Sequence, residues 1–252
     1  MSARSYDVVV VGGGNAALCA ALAAAEQGAK VALIERAPEA KRGGNSNFTG
    51  GGFRMVHHGV QDIKRIVPDL SDADIARTDF GEYSAEEYLD DLGRITQYYI
   101  DPDLAETLVT NSTDTVHWLM GRGVKFLPNY GRQAYNHEGK FKFFGGIVIY
   151  ANGGGAGLVQ SEYKAAEKYG ISIRYGTRAM ALLHGRKGIQ GVRVVADGRH
   201  VDPRVAASTE IFRAGRVLAR KLHVPDDLAR PVLLEEGVRS VDAGVHDRHG
   251  HP

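Results

Sequence analysis

The stretch from Tyr6 to Glu35 constrains the fold of this 252-residue chain more than any other. Tyr6 to Val11 reads Y-D-V-V-V-V, a β-branched and nearly all-apolar run. That pattern predicts a strand buried on both faces of a parallel sheet. Gly12-Gly13-Gly14 follows at once. Asn15 to Gln27 is then rich in Ala and Leu and predicts a helix, with Gly28 at its stop. Lys30 to Ile34 gives a second apolar strand, and Glu35 stands at its end. Strand, glycine turn, helix, strand and acid in this order form the βαβ unit that binds dinucleotides.

Each residue of the unit has a physical task. Gly12 permits the tight turn, and Gly14 lets a pyrophosphate approach the backbone. Ala17 is small enough for the helix to pack close on the sheet. Asn15 and Ala16 open that helix, where free N–H groups and the positive end of the dipole hold a diphosphate. Glu35 lies 18 positions after Ala17. That spacing suits a carboxylate accepting from the ribose hydroxyls of an adenosine half, with Arg36 beside it. An acid here disfavours a 2′-phosphate, and so NADP. A glycine triplet alone would fit a plain loop as well; the complete unit does not.

The formal net charge is +1, which argues against nucleic acid or an acidic membrane surface as partner. Cys19 is the single cysteine, so no disulfide framework or zinc site can be built on it. It predicts a small packing residue and a reducing, cytoplasmic setting. Arg4 and the apolar stretch to Ala25 superficially resemble a signal peptide, but Asp7 and three glycines interrupt it. The longest apolar run is too short to span a bilayer, so a soluble protein is expected.

Arg36 to Phe53 leaves regular patterning, with Pro38 and five glycines. It fits a flexible surface loop, or a backbone that passes close to a planar ligand. Gly43-Gly44-Asn45-Ser46 and Thr49-Gly50-Gly51 after a βαβ unit resemble the flavin-contacting loop of the fumarate reductase/succinate dehydrogenase flavoprotein family. The resemblance implies FAD rather than NAD. The wording of the first helix and of R-G-G-N-S-N-F-T-G-G is most similar to FAD-dependent tricarballylate dehydrogenases. Relatives with covalent flavin carry a histidine where Asn45 stands, so the resemblance implies non-covalent FAD.

Further along, His57-His58 reads as a solvated pair rather than a metal site, because adjacent side chains diverge. Gln61 to Thr78 reads as surface loop with short helical pieces. Ser84 and Glu87 form a capping box for a helix to about Tyr98. Asp101-Pro102 starts another, with Leu104, Leu108, Val116, Leu119 and Met120 as its apolar stripe. Trp118 is expected in the core, and His117 in packing or at the surface. Val124 to Leu127 reads as a short strand. Asn129 to Tyr150 interleaves basic and aromatic residues. It predicts a β-hairpin first, the wall of a carboxylate pocket second and a nucleic-acid surface a distant third. Asn152 to Gly157 is a glycine-rich turn before a helix from Leu158 to Tyr169. Ile171 to Tyr175 is a strand, and Thr177 to His184 with Ile189 to Ala196 forms a returning pair.

The predicted fold is therefore α/β, a Rossmann-like FAD-binding domain of glutathione-reductase type with helical insertions and a β-meander. The resemblance places residues 1–198 as its first half, with backbone near Arg178-Ala179 beside adenine. Beyond Gly198 the resemblance stops, and the second half of the family fold is expected to be missing. Residues 199–252 read as a divergent tail, partly helical (Ser208 to Leu222) or disordered, with His246, His249 and His251 in a frayed end rather than a metal site. A fragment, a shifted reading frame and a genuinely short protein all fit. The family implies an oxidoreductase acting on a CH–CH bond of a small carboxylic acid, tricarballylate-like, with a protein or quinone as electron acceptor. Fumarate or a steroid also fits, as does a nucleotide-binding remnant without turnover. No residue here matches a catalytic acid or base of the family.

Overall fold

The computed structural model describes residues 4–186, 188–196 and 209–214. Strands β1 (Arg4–Tyr6) and β2 (Val8–Val11) lead to helix α1 (Asn15–Glu26) and strand β3 (Val31–Ile34). After the loop come β4 (Gly52–Phe53), α2 (Val60–Ile66), α3 (Asp72–Ala76) and β5 (Thr78–Asp79). The helical insertion continues with α4 (Ala85–Ile95), α5 (Pro102–Thr110) and α6 (Ser112–Met120). Then follow β6 (Phe126–Pro128), α7 (Tyr130–Gln133), β7 (Ala134–His137), β8 (Lys140–Phe143), β9 (Ile149–Ala151) and α8 (Gly154–Lys168). Strands β10 (Ser172–Arg174), β11 (Thr177–Gly185), β12 (Gly188–Ala196) and β13 (Thr209–Ala214) complete the described part.

The expected βαβ unit forms. Strands β10, β3 and β2 make a parallel sheet in that order, with Val8 opposite Val31 and Ser172 opposite Ala32. Leu18, Ala21 and Leu22 of α1 pack on Val31 and Leu33, and on Val159, Tyr163 and Ala166 of α8. Two helices thus clamp one face of the sheet. The single strand expected from Tyr6 to Val11 is split at Asp7. Its carboxylate accepts from Lys30 N–H at 2.7 Å, which ends one pairing and starts the next. Tyr6 belongs to a second sheet, ordered β1-β13-β12-β11. β2 is also less buried than an all-apolar run predicts, with Val11 53% exposed.

Helix α4 carries the expected capping box, Ser84 and Glu87 bonding reciprocally. It stops at Ile95, three residues short of the predicted end, and Gln97 and Tyr98 turn into the left-handed region. Asp101 caps α5 through Leu104 N–H at 3.1 Å, with Pro102 at its first position. The predicted stripe is correct only in α6. Leu104 and Leu108 are exposed, and Ala105 and Val109 face inward. The run breaks at Asn111 into two helices, so one helical phase cannot cover both.

Three other expectations are corrected. His57 is buried at 1% exposure, held by a bridge between its backbone and that of Tyr83, while only His58 is exposed. Residues 61–78 are helical pieces, as predicted, but Ile63, Ile66, Val67 and Leu70 sit in the larger core with Met55, Phe126 and Ile149. Thr209–Ala214, expected within a helix, is strand β13, parallel to β1 and antiparallel to β12. A strand edge on each side satisfies its backbone, which outweighs local helix propensity. The rest of the predicted tail, with His246, His249 and His251, lies outside the described residues.

The hairpin β7–β8 forms as expected, Ala134 opposite Phe143 and His137 opposite Lys140. So does the meander hairpin β11–β12. No helix among the described residues is long and apolar enough to cross a membrane.

Candidate functional site

The site is built at the start of α1. Gly12 takes φ +115°, a conformation that favours glycine, and so turns the chain out of β2. The first helical bond runs from Leu18 N–H to Gly14 O at 3.0 Å. The N–H groups of Asn15, Ala16 and Ala17 therefore precede the helical ladder. Asn15 N–H donates to Ser46 Oγ at 3.1 Å. Those of Ala16 and Ala17 have no acceptor among the described residues. A Cβ on Gly14 would lie 3.3 Å from that same Ser46 oxygen and 3.4 Å from Gly43 O. The two stretches singled out in the sequence thus meet at one helix end, with 31 positions between Asn15 and Ser46.

The loop that carries Ser46 is ordered rather than loose. Gly44–Phe48 forms a 3₁₀ turn entered through Gly43 at φ +102°. Gly43 and Gly51 are buried, whereas Gly44, Asn45, Thr49 and Gly50 are exposed. The loop locks onto the glycine-rich start of α8. Gly155 N–H donates to Thr49 O at 2.9 Å, and Ala151 N–H to Gly51 O at 2.8 Å. A Cβ on Gly155 would strike Ser46 O and Thr49 Oγ1, and one on Gly51 would come within 2.7 Å of Gly154 C. The second glycine cluster therefore serves as the backbone-to-backbone support of the first.

Glu35 is buried at 7% exposure. Its Oε1 accepts from Ala37 N–H at 2.7 Å, fixing the turn after β3. Its Oε2 faces Gly13, where a Cβ would come within 2.6 Å of it. Arg36 is exposed beside it. Thr177 N–H donates to Glu35 O at 2.9 Å, so Arg178 and Ala179 begin β11 at this end of the sheet. Arg178 is exposed, and Ala179 packs near Tyr6 and Ile34.

Four residues behind the turn escaped the sequence reading. Tyr163 is fully buried and donates to Gly13 O at 2.9 Å, bracing the glycine turn from α8. A Cβ on Gly13 would collide with that hydroxyl, so Gly13 is as constrained as Gly12 and Gly14. Arg42 stacks over the Tyr163 ring at 4.4 Å and bonds Tyr175 Oη at 2.9 Å and Glu39 Oε1 at 2.9 Å. Burial raises both tyrosine hydroxyls above their usual range. Glu162, one position earlier, is also fully buried. Its Oε1 accepts from Cys19 Sγ at 3.3 Å, and its Oε2 has no partner. Burial pushes its carboxyl up to about 7, and burial with the neighbouring Glu162 pushes the Cys19 thiol up. The visible signal was the α8 pattern itself: Glu162 and Tyr163 fall in phase with Leu158, Val159 and Ala166.

Two surface clefts lie elsewhere on the described residues. One, of about 550 Å³, is lined by Glu82, Glu87, Asp90 and Asp91 with Arg54 and Arg94. Arg54 pairs with Asp91 and Tyr83, and Arg94 pairs with Asp91. Hydrogen bonds from Tyr83 and Arg94 hold Asp91 down to about 2. The other, of about 510 Å³, is lined by Gly50, Gly154, Asn129, Tyr130, Arg132 and Tyr150. No group of three or more His, Cys, Asp or Glu side chains that could hold a metal ion occurs among the described residues.

The family described as "FAD binding domain" matches residues 7–233. The chain is 33% identical over 193 residues to a "Fumarate reductase (cytochrome)" of Shewanella frigidimarina, covering 75% of this chain and 30% of that protein. It is 32% identical over 191 residues to a "Vinyl phenol reductase" of Lactiplantibacillus plantarum, covering 75% and 34%. The chain thus spans about a third of the length of these relatives. Among solved structures, a 3-ketosteroid-Δ4-(5α)-dehydrogenase from Rhodococcus jostii shares the fold at a TM-score of 0.61 and 20% identity, over 84% of this chain and 44% of that one.

Proposed function

The chain belongs to the FAD binding domain family, and on that premise we propose that it holds FAD non-covalently and forms the flavin-binding part of a dehydrogenase or reductase acting on a CH–CH bond of a small carboxylic acid. The observation that carries this reading is the meeting of Ser46 with the first amide of α1, which joins the loop and the βαβ unit into one cradle. Its features fit a dinucleotide. Two unclaimed amides at a helix start suit a diphosphate. Gly14 lets Ser46 and Gly43 of the loop close on the helix start. Glu35 keeps one carboxylate oxygen without a donor among the described residues, suited to a ribose hydroxyl. On this reading Gly12, Gly14, Asn15, Ala16, Ala17, Glu35 and Arg36 hold the ADP half, Arg178 and Ala179 border the adenine, and Gly43 to Ser46 with Thr49 to Gly51 border the flavin. Asn45 in place of a histidine supports non-covalent attachment.

The flavin, when bound, supplies a two-electron hydride acceptor or donor. The residues of this chain orient it, and none is assigned as catalytic acid or base. The loop wording supports a tricarballylate-like substrate, and the names of the relatives support fumarate or another activated alkene. A cytochrome-like electron partner is proposed on the same ground, and a quinone on the family resemblance. The single, half-buried thiol supports a cytoplasmic setting.

The test is the visible spectrum of the purified protein before and after acid precipitation. A flavin spectrum released to the supernatant is expected. A protein that stays colourless after incubation with FAD would refute the assembled cradle.

A further inference from the structure

Of the two clefts, only one is suited to an anion. The 550 Å³ cleft carries four carboxylates against two arginines, and both arginines are already paired with Asp91. The 510 Å³ cleft contains no carboxylate, and its one formal charge is the Arg132 guanidinium.

The backbone of Arg132 is fixed by the fold, while the residue is exposed. Its N–H bonds Asn129 O at 3.3 Å in the turn that starts α7, and Asn129 is itself buried. The guanidinium lies over Gly50, where a Cβ would come within 2.5 Å of Nη1. Gly50 therefore leaves the room in which the cation sits. Yet no side chain or carbonyl among the described residues accepts from this guanidinium. By contrast, both arginines of the other cleft, Arg54 and Arg94, are paired with Asp91. Around Arg132 the lining includes Tyr130, Tyr150, Gly50 and Gly154. Tyr130 is fixed by Thr78 Oγ1 at 2.9 Å and by ring contacts with Phe141 and Phe143. A planar five-donor fork with no acceptor among the described residues, in a cleft lined by no carboxylate, matches a planar carboxylate.

We propose that Arg132 is the substrate-positioning residue of this chain, binding one carboxylate of a small di- or tricarboxylic acid in the cleft bounded by Gly50, Tyr130 and Tyr150. The assignment rests on the reading of Thr49 to Gly51 as flavin-bordering, because that loop forms one wall of the cleft. It gives the carboxylic-acid specificity a definite side chain on the flavin side of the site.

The test uses the full chain and two separate readouts. FAD uptake is followed by quenching of flavin fluorescence, and failure there would count against the functional reading alone. Binding of succinate, fumarate and tricarballylate is followed by titration calorimetry, with or without FAD. Arg132→Gln is expected to weaken carboxylate binding about tenfold, the loss of one charge-assisted pair. Arg132→Lys should recover part of it, keeping the charge but not the fork. Gly50→Ala should mimic Arg132→Gln by displacing the guanidinium. FAD affinity in Arg132→Gln should stay within about twofold, since the pair lost is not to the cofactor. Unchanged carboxylate affinity in Arg132→Gln would overturn the proposal. So would a wild-type chain that binds none of the three acids, or a parallel loss of FAD that makes Arg132 a support of the loop.

Discussion

Replacing Glu162 with Gln should convert a pH-dependent protein into a less pH-dependent one. Glu162 is 0% exposed between α1 and α8, with Cys19 as its one hydrogen-bond partner and Oε2 unpartnered. Burial lifts its carboxyl from the ordinary 4.5 to about 7. Between these two values the folded chain binds a proton that the unfolded chain has released. Stability is therefore greatest below pH 4.5 with respect to this group and falls as pH rises through 7. A shift of this size corresponds to about 3 kcal/mol in all, of which about 2.5 kcal/mol falls between pH 5 and pH 8. Gln has the same shape and cannot ionise, so it carries none of that loss. Urea unfolding at pH 5, 6, 7 and 8, followed by the fluorescence of Trp118, the only tryptophan, would measure it. The gain of Glu162→Gln over wild type should grow by about 2.5 kcal/mol across the range, and other carboxylates cancel in the difference. A gain that is constant with pH, or that shrinks as pH rises, would refute the argument that Glu162 is neutral in the fold.

Two further substitutions probe the cradle itself. Gly155→Ala places a Cβ against Ser46 O and Thr49 Oγ1; because the obstacle includes backbone, it should destabilise by about 1–3 kcal/mol in urea unfolding and weaken FAD uptake together. Glu35→Gln keeps the acceptor for Ala37 N–H but removes the charge, and should weaken FAD about fivefold by fluorescence titration, about 1 kcal/mol, with little change in unfolding midpoint.

The parts of this fold that could be read from sequence are those fixed by near neighbours. The βαβ unit, the Ser84–Glu87 box and the Asp101-Pro102 helix start each depend on residues a few positions apart. What escaped depends on partners far along the chain. Thr209–Ala214 is a strand because β1 and β12 flank it, and its own composition does not say so. His57 is buried because its backbone pairs with Tyr83. Leu104 points outward because α5 ends at Thr110 and α6 starts in a new phase. At the site, the glycine turn was legible but its brace was not. Tyr163 lies 150 positions from Gly13, and nothing local marks it as the residue that holds the turn. Gly13 carries no signal of its own in the sequence, yet Tyr163 and Glu35 fill the space a side chain would need.

The bond from Gly155 N–H to Thr49 O also has a meaning in time. The loop of Gly43 to Gly51 has little apolar surface of its own and takes its shape from α8, about a hundred residues downstream. On a ribosome, the first strand, α1 and β3 are complete while the segment that orders the loop has yet to be made. Closing so long a loop is also a slow step in refolding, since the chain entropy is lost before the contact is gained. Both sides of the cradle therefore wait for α8, since Tyr163 braces the glycine turn as Gly155 holds the loop, and the appearance of flavin binding during refolding would mark the arrival of α8 rather than the birth of the βαβ unit.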